Sequence, residues 1–193
     1  MASRYPSSSR SALSVPKVFF DVETPNARAD RICSFSALLD SGKEIASLVD
    51  PETYFHPFNI AIHNITPEAV YTKPNFRYIW TSELREHFEG RTVVGYNVTF
   101  DLRVLTKTLQ AYSLDAPIFN YVDVLSAARR YFDLPSYSLD DVAKELGFSY
   151  RRHNASEDVR ATKIVFDEIA QNAPELLVER VYTFDCDAPK ARW

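Results

Sequence analysis

Apolar and polar positions alternate along residues 17–24 (KVFFDVET), and that period-two pattern predicts a strand. Val18, Phe20 and Val22 would face one side, and Asp21 and Glu23 the other. Residues 31–39 and 43–49 read as two further strands, and Asp40-Ser41-Gly42 between them is a tight-turn signal, so they are expected to pair as a hairpin. Pro-punctuated pieces follow up to Pro74, with Thr66-Pro67 as a helix start. The spacing of Phe76, Ile79, Trp80, Leu84 and Phe88 predicts a helix over 75–89, ended by Gly90. A buried-type strand at 91–96, a helix at 98–111 and a strand at 120–125 come next. Helices near 124–132, 138–146 and 155–171 complete the pattern, and the last stretch is expected to hold a helical turn or two before a polar tail.

Strands first in a meander, then alternating with helices, predict an α/β fold. The expected sheet is mixed and five-stranded, with a three-strand antiparallel meander, two parallel strands and helices on both faces. The expected organisation is a disordered leader at 1–15, one domain at 16–173 and a C-terminal tail at 174–193.

Set against this apolar framework, four acids fall on faces that should be buried. Asp21 and Glu23 share one face of the first strand. Taken alone, the pair also fits an edge strand with two solvated acids. Asp101 shares a helix stripe with Val104, Leu105 and Thr108, behind Asn97 as a candidate N-cap. Asp158 shares a stripe with Ala161, Thr162, Val165 and Ile169, behind Asn154 as N-cap, with Glu157 as the expected capping-box partner. Carboxylates crowded on buried faces repel unless cations sit among them. Two divalent ions, Mg²⁺ or Mn²⁺, suit an all-oxygen donor set. A pair of such ions about 3.5–4 Å apart suits phosphodiester hydrolysis. His153, just before the last long helix, is placed to take a proton from an attacking water.

Composition narrows the reading. The chain has 193 residues, with 46% hydrophobic and 13% aromatic positions, enough for a core. No apolar run reaches the length of a membrane span. The net charge of −4 argues against holding nucleic acid by bulk electrostatics, though not against seizing a strand end at a metal site. Neutralising the four candidate ligands would bring that charge to zero. Two cysteines, Cys33 and Cys186, read as unpaired thiols, and a cytoplasmic location is expected.

Three phrases carry a resemblance: Phe20-Asp21-Val22-Glu23-Thr24, Tyr96-Asn97-Val98-Thr99-Phe100-Asp101, and His153 through Asp158. With Ile62-His63-Asn64-Ile65-Thr66 they make the chain resemble the DEDD exonucleases of the His subtype, the superfamily of the proofreading epsilon subunit of bacterial DNA polymerase III. The resemblance implies a ribonuclease-H-like fold and 3′→5′ release of nucleoside 5′-monophosphates from single-stranded DNA or RNA ends. It implies Asp21, Glu23, Asp101 and Asp158 as metal ligands, with Asp21 bridging, and His153 as general base. Thr24, His63, Ile65, Tyr96, Asn97 and Phe100 would bind substrate. Departures fall at Pro25-Asn26, Tyr96 and Asn64; Asn tolerates a left-handed backbone, so the turn at Asn64 is expected to survive. The alternative is a non-catalytic nucleic-acid-binding or polymerase-accessory module of the same fold, with 181–193 as the segment that would dock on a DNA polymerase. A homodimer partner is also open, because the helix around Tyr78, Trp80 and Phe88 has apolar residues to spare.

Overall fold

A computed structural model describes residues 15–184. Its strands are β1 (Lys17–Glu23), β2 (Ser34–Leu39), β3 (Glu44–Leu48), β4 (Thr92–Gly95), β5 (Phe119–Asp123) and β6 (Glu179–Tyr182). They form one sheet in the order β3-β2-β1-β4-β5-β6. The antiparallel meander β1-β2-β3 and the parallel run β1-β4-β5 are as expected. The sheet has six strands, not five. The stretch expected to hold helical turns supplies a 3₁₀ turn (Pro174–Leu176) and then β6, antiparallel to β5. Tyr182 stacks on Phe119 with ring centroids 4.4 Å apart, and Glu179 accepts a hydrogen bond from the Thr92 hydroxyl (2.6 Å). Four residues with two anchors are too short to announce themselves by periodicity. The expected leader and the residues after 184, including Cys186 and most of the candidate docking segment, lie outside the described residues.

The helices are α1 (Pro57–His63), α2 (Pro67–Val70), α3 (Phe76–Ile79), α4 (Val98–Ala111), α5 (Val124–Tyr131), α6 (Leu139–Glu145) and α7 (Ala155–Asn172). The helix expected over 75–89 is not continuous. After α3 the chain widens into a π turn (Trp80–Leu84) and tightens into a 3₁₀ turn (Arg85–His87). Phe76, Ile79, Trp80, Leu84 and Phe88 all face the core. Trp80 and Phe88 are buried, and only Tyr78 of the three residues weighed for a dimer face is exposed.

Two cores sandwich the sheet. On one side Val18, Phe20 and Val22 meet Leu102, Leu105 and Leu109 of α4, with an aromatic group around Phe76, Trp80 and Phe88. On the other, Phe19 and Val94 meet Val165, Phe166 and Ile169 of α7. Asp21 and Glu23 share the odd-numbered face with Phe19, so they look toward α7.

The sheet opens where the site lies. Parallel pairing of β1 with β4 stops at Phe19 and Val94, whereas pairing with β2 continues to Glu23. Beyond that point β4 turns away into α4. The carboxyl ends of β1, β4 and β5 therefore border a crevice, the usual ligand position in an open α/β sheet.

Candidate metal centre

A cavity of about 230 Å³ fills that crevice, lined by Asp21, Val22, Glu23, Tyr96, Asn97, Phe100, Asp101, Leu139, His153 and Asp158. Three segments far apart in sequence deliver its acids. Carboxylate oxygens of Asp21, Glu23 and Asp158 lie within 4.8 Å of one another. Asp101 is buried, and its Oδ1 accepts the Val22 N–H at 3.2 Å. That N–H faces the edge β4 has left, so the carboxylate takes the place of a neighbouring strand.

The electrostatics are those of like charges in a dry place. Burial pushes the Asp21 carboxyl well up, and Asp101, Asp158 and Glu23 push it further. Burial and then Asp158 raise Glu23 to about 8. Burial also raises Asp101, against the hydrogen bonds from the Val22 and Asp101 N–H groups. Asp158 is raised to about 6, because burial outweighs its hydrogen bonds from Tyr150, Asn154 and His153. Metal-free, these groups hold protons that ordinary carboxylates release. An all-oxygen cluster of this kind fits hard divalent cations, which would replace those protons.

Asp158 owes its position to the α7 cap. Asn154 accepts from the Glu157 N–H (3.2 Å), the expected half of a capping box. The reciprocal half differs. Asp158 Oδ2, not Glu157, accepts the Asn154 N–H at 3.0 Å, while Glu157 pairs with Arg160 at 2.9 Å. His153 stands at the rim with a left-handed backbone (φ 57°). Burial, and after it the Arg152 charge, lowers its pKa, which keeps the imidazole neutral near pH 7.

The second phrase is built differently from its sequence reading. Asn97 makes no side-chain cap; it adopts φ 60°, ψ 39°, so Asn serves here by tolerating the left-handed turn. Its N–H donates to Asp123 Oδ1 at 2.9 Å. Gly95 lets α4 start close to β1, since a Cβ there would lie 2.7 Å from Val98 Cγ2 and 3.0 Å from Phe20 O. Tyr96 is half-buried, and its hydroxyl donates to Tyr137 O at 2.8 Å, so it braces the loop that leads to Leu139.

Thr24, His63 and Ile65 are not in the cavity wall. His63 is buried and both ring nitrogens are engaged inside the protein: Nδ1 accepts the Ile65 N–H (2.9 Å) and Nε2 donates to Thr24 O (3.1 Å). It pins α1 to the end of β1. Asn59 adds a bond to Thr24 O (3.0 Å), and Asn26 Nδ2 donates to Tyr54 O (2.9 Å). The Pro25-Asn26 departure thus buys a loop tied to the α1 segment. Asn64 takes the left-handed C-cap of α1 (φ 60°), as its residue type suggested. Leu139, Tyr150 and Asp123 were not singled out from the sequence; each sits outside the acidic phrases, and only the folded chain brings them beside the site.

A family model described as "Exonuclease" matches residues 18–166. The "DNA polymerase III PolC-type" protein of Pediococcus pentosaceus is 29% identical over 144 residues, which cover 71% of this chain and 10% of that protein. The chain thus spans about a tenth of the PolC-type relatives it matches. Among solved structures, exonuclease X in complex with 5′ overhanging duplex DNA superposes with a TM-score of 0.66 at 21% identity, over 81% of this chain and 92% of that one. The nuclease domain of 3′hExo, a DEDDh family member bound to rAMP, gives a TM-score of 0.71 at 15% identity, over 88% and 97%. The fold is the ribonuclease-H-like one expected, with one strand more.

Proposed function

Since the chain belongs to the exonuclease family, we propose that it removes nucleoside 5′-monophosphates from the 3′ ends of single-stranded DNA or RNA. The observation that carries this reading is the convergence of Asp21, Glu23, Asp101 and Asp158 on one cavity, with His153 at its rim. In this reading Asp21, Glu23 and Asp158 would hold one ion, and Asp101 with Asp21 a second. Two Mg²⁺ or Mn²⁺ ions so held would supply the Lewis acidity that activates water and stabilises the leaving oxygen.

The chain's own groups do the rest. Neutral His153 takes the proton from the attacking water at an imidazole nitrogen, because its pKa is already held low. Phe100 and Asn97 border the space a terminal nucleotide would fill. Val22 and Leu139 contribute apolar surface to the cavity wall. The acids lie recessed in the crevice, so one terminal nucleotide must reach in to them, which favours a single-stranded or frayed end.

The test is a 5′-labelled single strand incubated with Mg²⁺ or Mn²⁺. A ladder shortening from the 3′ end, abolished by EDTA, is expected. An unchanged strand, or products that begin at the 5′ end, would overturn the proposal. The PolC-type relatives favour a second, compatible reading, action beside a DNA polymerase. Co-purification of the full chain with a polymerase tests it.

A further inference from the structure

A second cavity, of about 300 Å³, lies between α4 and the strands β5 and β6. Thr99, Arg103 and Thr106 form its α4 wall, and Tyr121 and Tyr182 stand on the sheet side. The groove owes its sheet side to β6: Tyr182 stacks on Phe119, and its hydroxyl meets Thr106 Oγ1 at 2.6 Å. The other end adjoins the metal centre. There the Arg103 guanidinium lies over the Phe100 ring, 5.4 Å from its centroid, and Phe100 lines the acidic cavity. Arg103 is exposed, as is Arg180, which stands opposite Tyr121 in the β5–β6 register and on the same face. Arg28, Arg85, Arg152 and Arg160 pair with carboxylates, whereas among the described residues Arg103 and Arg180 form no ion pair.

We propose that this groove holds the single-stranded nucleic acid upstream of the cleaved nucleotide, with Arg103 and Arg180 taking its phosphates and Tyr121 supporting a base, an assignment that rests on the reading of the acidic cavity as an exonuclease centre. The chain carries a net charge of −4, so bulk attraction does not gather a nucleic acid, and local cations must. The Phe100 ring takes the face of the Arg103 guanidinium and leaves its N–H edge for a phosphate, which accepts two such bonds at once. Thr99 and Thr106 lie seven residues apart on α4, about 10 Å along its axis. That length takes about three nucleotides at roughly 3.4 Å each. Tyr121 is half-buried in the groove wall, and an aromatic ring there supports any base, because every base has a π-face. Phosphate and ring contacts of this kind select for length of the single strand and not for its sequence.

Arg103→Gln and Arg180→Gln test the groove with two substrates: a dinucleotide, whose one internucleotide phosphate is the scissile one, and a single strand of about twelve nucleotides. Initial rates with Mn²⁺ give kcat/KM for each, repeated over a range of salt concentration. Wild type is expected to favour the longer substrate, and each variant to lower that preference about tenfold, the loss of one charge-assisted contact. The salt dependence of log KM for the longer substrate should become shallower by about 0.7 for each arginine removed. A structural fault in α4 would slow both substrates alike, so an unchanged preference and salt slope in both variants overturns the inference. A wild type that hydrolyses both substrates equally well also overturns it and leaves the exonuclease reading standing. A wild type that hydrolyses neither overturns the exonuclease reading. Fluorescence anisotropy of the labelled longer substrate then reads the groove by itself, and equal binding by wild type and both variants overturns the inference too.

Discussion

Asp21 illustrates how a single residue can work against the fold that holds it. Half-buried among three other acids, it destabilises the metal-free protein and has no use there other than the site. Asp21→Asn is therefore expected to lower the hydrolysis rate by on the order of 10²–10³, while raising the melting temperature of the metal-free protein. A variant that melts lower and cleaves normally would contradict both halves. Glu23 gives the matching pH dependence. Its carboxyl moves from 4.5 to about 8 on folding, so between those values the unfolded chain has released a proton that the folded chain keeps. Stability of the metal-free protein must then fall as pH rises from 4.5 to about 8. Melting curves in EDTA at the two ends of that window check the sign. Divalent cations should stabilise more at the upper end, because binding displaces those protons. His153 adds a kinetic limb. With its pKa held below 6.5, activity at saturating metal should fall only on acidification below that value, and His153→Gln should remove most of the rate.

At the scale of elements, the site depends on where β4 stops and α4 starts. Gly95 permits the approach and Asp123 holds the left-handed turn at Asn97, so together they aim Asp101 at β1. Gly95→Ala places a methyl 2.7 Å from Val98 Cγ2, so the helix must shift. Overpacking of this kind costs about 1–3 kcal/mol, or roughly 2–4 °C in melting temperature for each kcal/mol. Activity should fall with it, since Asp101 moves with α4. The other edge of the sheet carries β6, whose Tyr182 is buried against Phe119 and donates or accepts at Thr106 Oγ1 (2.6 Å). Tyr182→Ala should cost about 3–5 kcal/mol, as for other buried aromatics. Denaturant melts would measure it, and a loss near zero would show that β6 is dispensable to the sheet.

For the molecule as a whole, the acidic phrases were legible because each obeys a simple period. Asp21 and Glu23 two apart on a strand, and Asp101 and Asp158 at helical spacing from buried apolar residues, can be placed on faces without coordinates. The sheet's meander and crossovers were legible for the same reason. What escaped the sequence depends on long-range closure. Asn97 looked like a cap because Asn often caps, yet its backbone, not its side chain, is what the turn uses. Glu157 looked like the capping partner, but Asp158 takes the Asn154 N–H because its carboxylate already faces the cap. His63 makes bonds that no period announces: Thr24 O and the Ile65 N–H engage both its ring nitrogens. The π turn after α3 and the short β6 have no periodic signature; packing of Trp80 and Tyr182 decides them.

The proposed hydrolysis requires the four carboxylates to gather divalent cations. The most direct measurement is anomalous diffraction from crystals of the protein soaked in Mn²⁺ and a nucleoside 5′-monophosphate. Two anomalous peaks bounded by Asp21, Glu23, Asp101 and Asp158, with the phosphate between them and His153 alongside, are expected. Crystals at full Mn²⁺ occupancy elsewhere, with no peak in this cavity, would contradict it.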